Sequence, residues 1–425
     1  MKLERRHWIR RTLFLLVLTM GWFFWTANHD ADRRQIFQLW RNGEFLIGCV
    51  LAYCSVVAAG RVWSRHVQFW LLYAGVLVAF MLILLEGIGA LGLVSYKILV
   101  GAPDSDPLGK KPIAYQDLRG RTYQDISYLW GADSELIPFH FKTDRYGFRN
   151  HADRESADVY FVGDSILVAA LLSAEETVSS RLEHTLRRPV MNVALTAIGL
   201  EAERDIFRTA GFPLENSLVI QFVFEGNDLG DSMAYGLPEA AWSMEDLFLW
   251  NALMRLQQLT QPAHPHLNKY SGTIGGQEFL FACIHGVIHA ELDGIDREVE
   301  PLTQALLDMN EYVTGAGGQY GVVYIPAKLR VLGPFCHWPE QSELIEYEKL
   351  LSPLRDVLVR WAQSNGIDVL DTTDAFIAIA DRGEIPWFTG DTHPNAIGHR
   401  ALADVVANWE LVHEWNSATR PPSGR

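Results

Sequence analysis

Long apolar runs nearly free of charge are confined to the first quarter of the chain, at residues 12–27, 45–59 and 67–94. From about residue 100 onward, short apolar runs alternate with amphipathic segments. A helix needs about 20 apolar residues to cross a hydrocarbon core of roughly 30 Å, so the three runs predict three transmembrane helices, the first two near the lower limit. The alternative for any one of them is a buried helix of a soluble unit. Lys2, Arg5, Arg6, Arg10 and Arg11 precede the first run, and Arg61, Arg65 and His66 join the second to the third. Basic flanks face the cytoplasm, so three spans deliver everything after about residue 100 to the outer face of a bacterial inner membrane. No small-x-small cleavage site precedes Asn28, which favours an anchor over a removed signal peptide. Glu86 interrupts the third run about 20 residues along, near the outer interface, where an interfacial or helix-packing role is favoured over a proton or substrate path.

Past a linker rich in proline and glycine at 101–108, the periodicity changes. Val159 to Val162 is a β-branched and aromatic run that predicts a buried strand, and 173–187 has helical spacing with Val178, Leu182 and Leu186 on one face. Further strands are predicted at 189–195, 218–224, 321–325 and 367–370, with helices at 342–364 and 396–409. Strands alternating with helices predict a parallel, doubly wound α/β sheet. The stretch 229–300 breaks into helical pieces and loops and reads as an insertion. Gly315-Ala316-Gly317-Gly318 follows a helix and precedes a strand, the reverse of a phosphate-cradling loop, and reads as a helix-ending turn.

The chemistry-bearing residues fall at strand ends, where open α/β sheets bind ligands. Ser165 follows the first strand in Gly163-Asp164-Ser165, Gly199 follows the second, and Glu225-Gly226-Asn227-Asp228 follows the third. Asp391-Thr392-His393 precedes the last long helix. A serine hydroxyl is a weak nucleophile until a base takes its proton and a third group holds the base. Ser165, His393 and Asp391 supply that set, with Asp371, at the end of the fifth strand, a competing acid that also suits a helix cap.

These four blocks resemble those of the SGNH hydrolases, also called the GDSL family, over residues 145–415. The resemblance implies a flavodoxin-like three-layer α/β/α sandwich with a parallel sheet. It makes Ser165 the nucleophile, His393 the general base and Asp391 the acid that orients it, with an oxyanion hole from the Ser165 amide, the Gly199 amide and the Asn227 side chain. Two departures stand out: Glu225 occupies the position where the family usually has glycine, which puts an extra carboxylate at the pocket, and Asp391 precedes His393 by two residues rather than three. The closer spacing resembles the branch that contains the alginate O-acetylation proteins. A Gly-Phe-Arg-Asn stretch, at 147–150, precedes the first strand in some membrane-linked members; it implies a piece of pocket rim, the alternative being a packed turn at the sheet edge. The expected organisation is a membrane anchor at 1–100, a linker and rim at 101–150, a catalytic domain at 151–415 and a tail at 416–425.

Three functions follow. The first is an esterase releasing acyl groups, O-acetyl above all, from cell-envelope carbohydrate or lipid. The second is an O-acetyltransferase modifying an extracytoplasmic polysaccharide with a partner membrane-bound acyltransferase. The third is a non-catalytic glycan-binding domain, against which stands the presence of every triad residue. Composition narrows the rest. The 425 residues, 49% hydrophobic, support a large core, and a net charge of -15 with no basic stripe excludes nucleic acid as a partner. No cofactor is implied. For His285 with His289, Gly286 stands where a zinc peptidase needs its glutamate, and His264 with His266 sits in a proline-rich loop with no acid or cysteine cluster nearby, so no metal site is expected. Cys49 and Cys54 fall in the second run, while Cys283 and Cys336 lie in the part placed outside and can pair there.

Overall fold

A computed structural model of the chain describes residues 112–122, 124–130, 137–234, 269–281 and 299–419, with helical positions between 70 and 88 and between 248 and 252. The chain divides into two compact units, one of residues 1–101 with 239–260 and the other of residues 102–238 with 261–425. Two of the predicted spans, 12–27 and 45–59, lie outside the described residues, and the third is described in part. Among the described residues, no helix is long and apolar enough to cross a membrane. Those of the third run are helical and expose Trp70, Tyr73, Leu77, Phe80, Met81 and Leu84. Within this first unit Glu86 accepts hydrogen bonds from the amides of Phe248 at 3.0 Å and Leu249 at 2.8 Å. The carboxylate thus bonds two successive amides at described helical positions.

In the second unit, β1 (Asp117–Thr122), α1 (Asp125–Trp130) and β2 (Ile137–Lys142) come first, with β1 and β2 paired antiparallel. Then follow β3 (Val159–Val162), α2 (Ser165–Val168), α3 (Val178–Leu186), β4 (Val190–Asn192), α4 (Leu200–Ala210), β5 (Leu218–Phe224) and α5 (Asp228–Ala234). The described part of the insertion forms a hairpin, β6 (Ser271–Ile274) and β7 (Gln277–Leu280). The remainder is α6 (Glu300–Gly315), β8 (Gln319–Ile325), α7 (Lys328–Leu332), α8 (Leu354–Ser364), β9 (Asp368–Asp371), α9 (Thr373–Asp381), α10 (Ala396–Ala407) and α11 (Glu410–Thr419).

Five strands form one parallel sheet in the order β4-β3-β5-β8-β9. Counted within the sheet this is 2-1-3-4-5, the flavodoxin-like order, whose switch point lies between β3 and β5. The strand residues are apolar because both faces are covered. Val159, Phe161, Ile220 and Phe222 join a core that holds Val178 and Leu182 of α3, Leu402 and Val406 of α10 and Trp415 of α11. Tyr160, Val162, Val219 and Val223 join a second core with Phe207 of α4, Leu306 and Met309 of α6 and Leu358 of α8. Alternation along β3 therefore sends successive residues to opposite helical layers, which gives the three-layer sandwich. The glycine-rich stretch 315–318 ends α6, with Gly317 at φ +82° in the turn.

Candidate active site

Ser165 is placed by a sharp strand-to-helix turn. β3 ends at Val162, and Asp164 caps α2 by accepting a hydrogen bond from the Ile166 amide at 2.9 Å. The turn is braced from below. Arg149 is buried, and its guanidinium donates to the carbonyl oxygens of Val168 and Ala169, which end α2, and of Leu172 beyond them. Asn150 donates to Asp144 and to the Asn192 carbonyl and accepts from the Asn192 amide, which ties the same segment to β4. The Gly-Phe-Arg-Asn stretch is therefore a packed turn under the serine, with Phe148 and Arg149 buried, and not a pocket rim.

His393 Nε2 lies 2.9 Å from Ser165 Oγ, and its Nδ1 lies 2.5 Å from Asp391 Oδ1. Asp391 Oδ1 also accepts the His393 amide at 2.9 Å, and Oδ2 accepts the Asp125 amide at 2.8 Å. A two-residue spacing suffices because the Asp391 side chain folds back over its own turn, as an Asx turn does. The carboxylate is buried and its geometry is fully occupied. Burial alone would raise its pKa; the His393 charge and these hydrogen bonds outweigh it and hold the carboxyl below its ordinary value. Burial also works against the His393 charge, but Asp391, and after it Asp125 and Asp164, push the imidazole up to about 9.

Asp371, the competing acid, has no contact with His393. It accepts from Arg355 Nε at 2.5 Å and from the amide and hydroxyl of Thr373, in an Asx turn that leads into α9, whose N-cap is Thr372. Glu225 does not line the pocket. It is buried in a bidentate pair with Arg330 and accepts the Ala327 amide at 2.8 Å, joining the end of β5 to the start of α7.

Gly199 and Asn227 lie on either side of α5. Gly199 caps α4, and a Cβ there would come within 2.7 Å of the backbone of Asp231 and Ser232. Asn227 precedes α5; its Nδ2 donates to Asp231 at 2.7 Å and its side chain also stabilises the Asp164 carboxylate. The sheet thus brings Ser165 and Asn227 to the ends of adjacent strands, and Gly199 against the helix that Asn227 opens. Behind them Asp164, Glu203 and Asp228 are buried, and burial raises all three; repulsion from Asp164 adds to it at Glu203 and Asp228, which stand well above the carboxylate range.

The sequence reading missed Asp125 and Lys328. Asp125 lies on α1, in the segment expected to be linker, and Lys328 opens α7 without a recognisable motif. Among the described residues, Asp125, Asp391 and His393 are the ones that bring ligand atoms within 4.8 Å of one another. The 2.5 Å separation of Nδ1 and Oδ1 is that of a hydrogen bond. His264, His266, His285 and His289 lie outside the described residues, as do Cys49, Cys54 and Cys283. Cys336 is a free thiol, pushed up to about 12 by burial.

The fold and the three aligned side chains define a class, a Ser–His–Asp site at the switch point of a flavodoxin-like sheet. No family model and no curated protein matches the chain. Among solved structures it is similar to a lipolytic protein of the G-D-S-L family from Desulfitobacterium hafniense DCB-2, at 14% identity, covering 59% of this chain and 97% of that one, TM-score 0.32. It is similar to a catalytic mutant of the acetylxylan esterase Axe2 from Geobacillus stearothermophilus, at 15% identity over 62% and 96%, TM-score 0.32. A third likeness is to the acetyl xylan esterase Est2A from Butyrivibrio proteoclasticus, at 11% over 67% and 72%, TM-score 0.28.

Proposed function

We propose that this chain is an SGNH-type serine esterase that removes acyl groups, O-acetyl above all, from carbohydrate or lipid of the cell envelope. The observation that carries this reading is the relay from Ser165 Oγ through His393 to Asp391, at 2.9 and 2.5 Å. Ser165 attacks the ester carbonyl while Nε2 takes its proton, and Asp391 keeps Nδ1 protonated so that Nε2 is the free base. The tetrahedral oxyanion is met by the Ser165 and Gly199 amides and by the Asn227 side chain, which also bonds Asp231 and stabilises the Asp164 carboxylate. His393 then returns the proton to the departing alcohol. The acyl-enzyme is hydrolysed by water activated at the same nitrogen.

In the same reading, the N-terminal apolar runs hold the enzyme in a bacterial inner membrane with residues from about 100 onward outside. The basic flanks at 2–11 and 61–66 support this, as do the exposed Trp70, Tyr73, Leu77 and Phe80. Product analysis of the full-length protein on an acetylated oligosaccharide tests the chemistry. Free acetate is expected with and without an added unacetylated acceptor, and acetate found only on the acceptor would make the enzyme a transferase. Reporter fusions after Asp104 test the placement, where activity of a cytoplasm-only reporter would overturn it.

A further inference from the structure

The turn that carries Asp391 and His393 belongs to no strand of the sheet, and something must hold it to the sub-ångström tolerance that proton transfer needs. The α1 segment does so through a reciprocal set of hydrogen bonds. The Gly390 amide donates to Gln124 Oε1 at 2.8 Å, and the Ser127 amide donates to the Gly390 carbonyl at 2.9 Å. The Asp125 amide donates to Asp391 Oδ2 at 2.8 Å, while the Asp125 carboxylate accepts the Thr392 amide at 2.8 Å and the Thr392 hydroxyl. The second oxygen of Asp125 stands 3.7 Å from His393 Nδ1, the nitrogen already bonded to Asp391.

We infer that Asp125 is a positioning residue of the Ser165 site, fastening the Asp391–Thr392–His393 turn and presenting a second carboxylate to the imidazole. The inference rests on the reading of His393 as the base of Ser165. One carboxylate, Asp391, is consumed in fixing the tautomer. The other donates nothing and accepts nothing from His393 at 3.7 Å; it acts through space, on the charge that the imidazole gains only when the serine proton arrives. An interaction that strengthens as the transition state forms lowers the barrier rather than merely tightening the ground state. Desolvation and then repulsion from Asp391 raise the partly exposed Asp125 carboxyl above its ordinary value, and the His393 charge works the other way. The other ionisable groups that act on the imidazole are Asp164 before α2 and, from α10, His399, which is buried and neutral. Lys328 of α7 lies beneath the Asp391 carbonyl.

The test uses the full-length protein and a fluorophosphonate ester. The Ser165 oxygen forms a bond to phosphorus, fluoride leaves with the electron pair of the P–F bond, and the serine proton goes to His393. Labelling rates across pH read the nucleophile and its base without knowledge of the natural substrate. Asp125→Asn is expected to lower the plateau rate about 10- to 100-fold and to move the midpoint to lower pH, because a negative neighbour is lost. Asp125→Glu is expected to bring the midpoint back toward the wild-type value, and Thr392→Val to lower the plateau with no shift of midpoint. Wild-type plateau and midpoint in Asp125→Asn would overturn the inference, and a lowered plateau with a fixed midpoint would reduce Asp125 to a fastener and overturn the charge role. If Asp125→Asn fails to fold, a Thr392→Val protein labelled at the wild-type rate overturns the fastening role. A wild-type protein that is not labelled at Ser165 refutes the reading of the site itself, and this inference with it.

Discussion

Lys328 Nζ stands 3.2 Å from the carbonyl oxygen of Asp391, and its three N–H groups have the carbonyl oxygens of Leu280, Phe388 and Thr389 at 2.8 Å each. One buried amine at the start of α7, pushed down to about 7 by burial, therefore gathers the β7 end and the loop that delivers the acid, resting on the Phe279 and Phe281 rings. The loop is held from one side by Lys328 and from the other by α1. Lys328→Met keeps the aliphatic stem and removes the donors, leaving buried carbonyls unmet at a cost of roughly 1–3 kcal/mol each where water cannot enter. A lower melting temperature is expected, together with a kcat reduced about 10- to 100-fold at little change in KM. Lost stability with full kcat would mean that Lys328 supports the fold and not the alignment of Asp391.

The two acids the sequence left in competition separate cleanly by substitution. Ser165→Ala and His393→Ala are each expected to abolish ester turnover. Asp391→Asn removes the charge that His393 Nδ1 meets at 2.5 Å, and about a 10⁴-fold fall in kcat is expected by analogy with other triads. Asp371→Asn breaks a half-exposed pair with Arg355 at 2.5 Å and is expected to cost stability while leaving kcat within about threefold of wild type. A crippled Asp371→Asn beside a mild Asp391→Asn would reverse the assignment.

His393 carries a pH signature of known sign. With the folded value at about 9, above the ordinary 6.5, the charged imidazole contributes stability in full below about pH 6.5, and that contribution is lost as pH rises toward 9. Activity runs the other way, because only the neutral imidazole accepts the serine proton. The kcat/KM profile of the free enzyme is expected to climb through about pH 9, with the melting temperature falling over the same interval. An acidic limb near pH 6.5 would show that the three acids do not hold the proton on His393.

What was legible in the sequence was whatever is written locally. β-branched and aromatic runs gave β3 and β5, the strand-end positions of Ser165 and Asn227 follow from them, and the Asp391–Thr392–His393 turn lies within three consecutive residues. The strand expected at 189–195 is shorter, Val190–Asn192, though the Val193 and Leu195 amides still donate to the carbonyls of Phe161 and Gly163. The helix expected at 342–364 is interrupted, with α8 starting only after Pro353. Contacts across more than 260 residues left no periodic trace. The Asp125 amide reaches Asp391 from a short helix in a polar stretch that resembles a linker in composition, and no spacing rule pairs the two. Glu225 shows the converse: its strand-end position suggests a pocket carboxylate, but Arg330, one turn into α7, neutralises it inside the protein.

Gly199 offers a test of the oxyanion wall that does not touch the nucleophile. Its φ of -91° is open to any residue, so the requirement for glycine here is one of space. A Cβ would stand 2.7 Å from the Asp231 carbonyl carbon and the Ser232 amide nitrogen, and backbone atoms in a helix cannot yield as a side-chain tip can. Gly199→Ala is therefore expected to push α5 away from α4 at a cost of about 1–3 kcal/mol in stability. Because Asn227 opens α5 and bonds to Asp231, the same shift moves an oxyanion donor, and kcat is expected to fall about 10²-fold with Ser165 and His393 intact. Fluorophosphonate labelling at Ser165 should slow in parallel, since the phosphoryl oxygen uses the same donors. An alanine variant with wild-type melting and wild-type labelling would show that α5 accommodates the methyl group and that the packing of Gly199 against Asp231 does not set the position of Asn227.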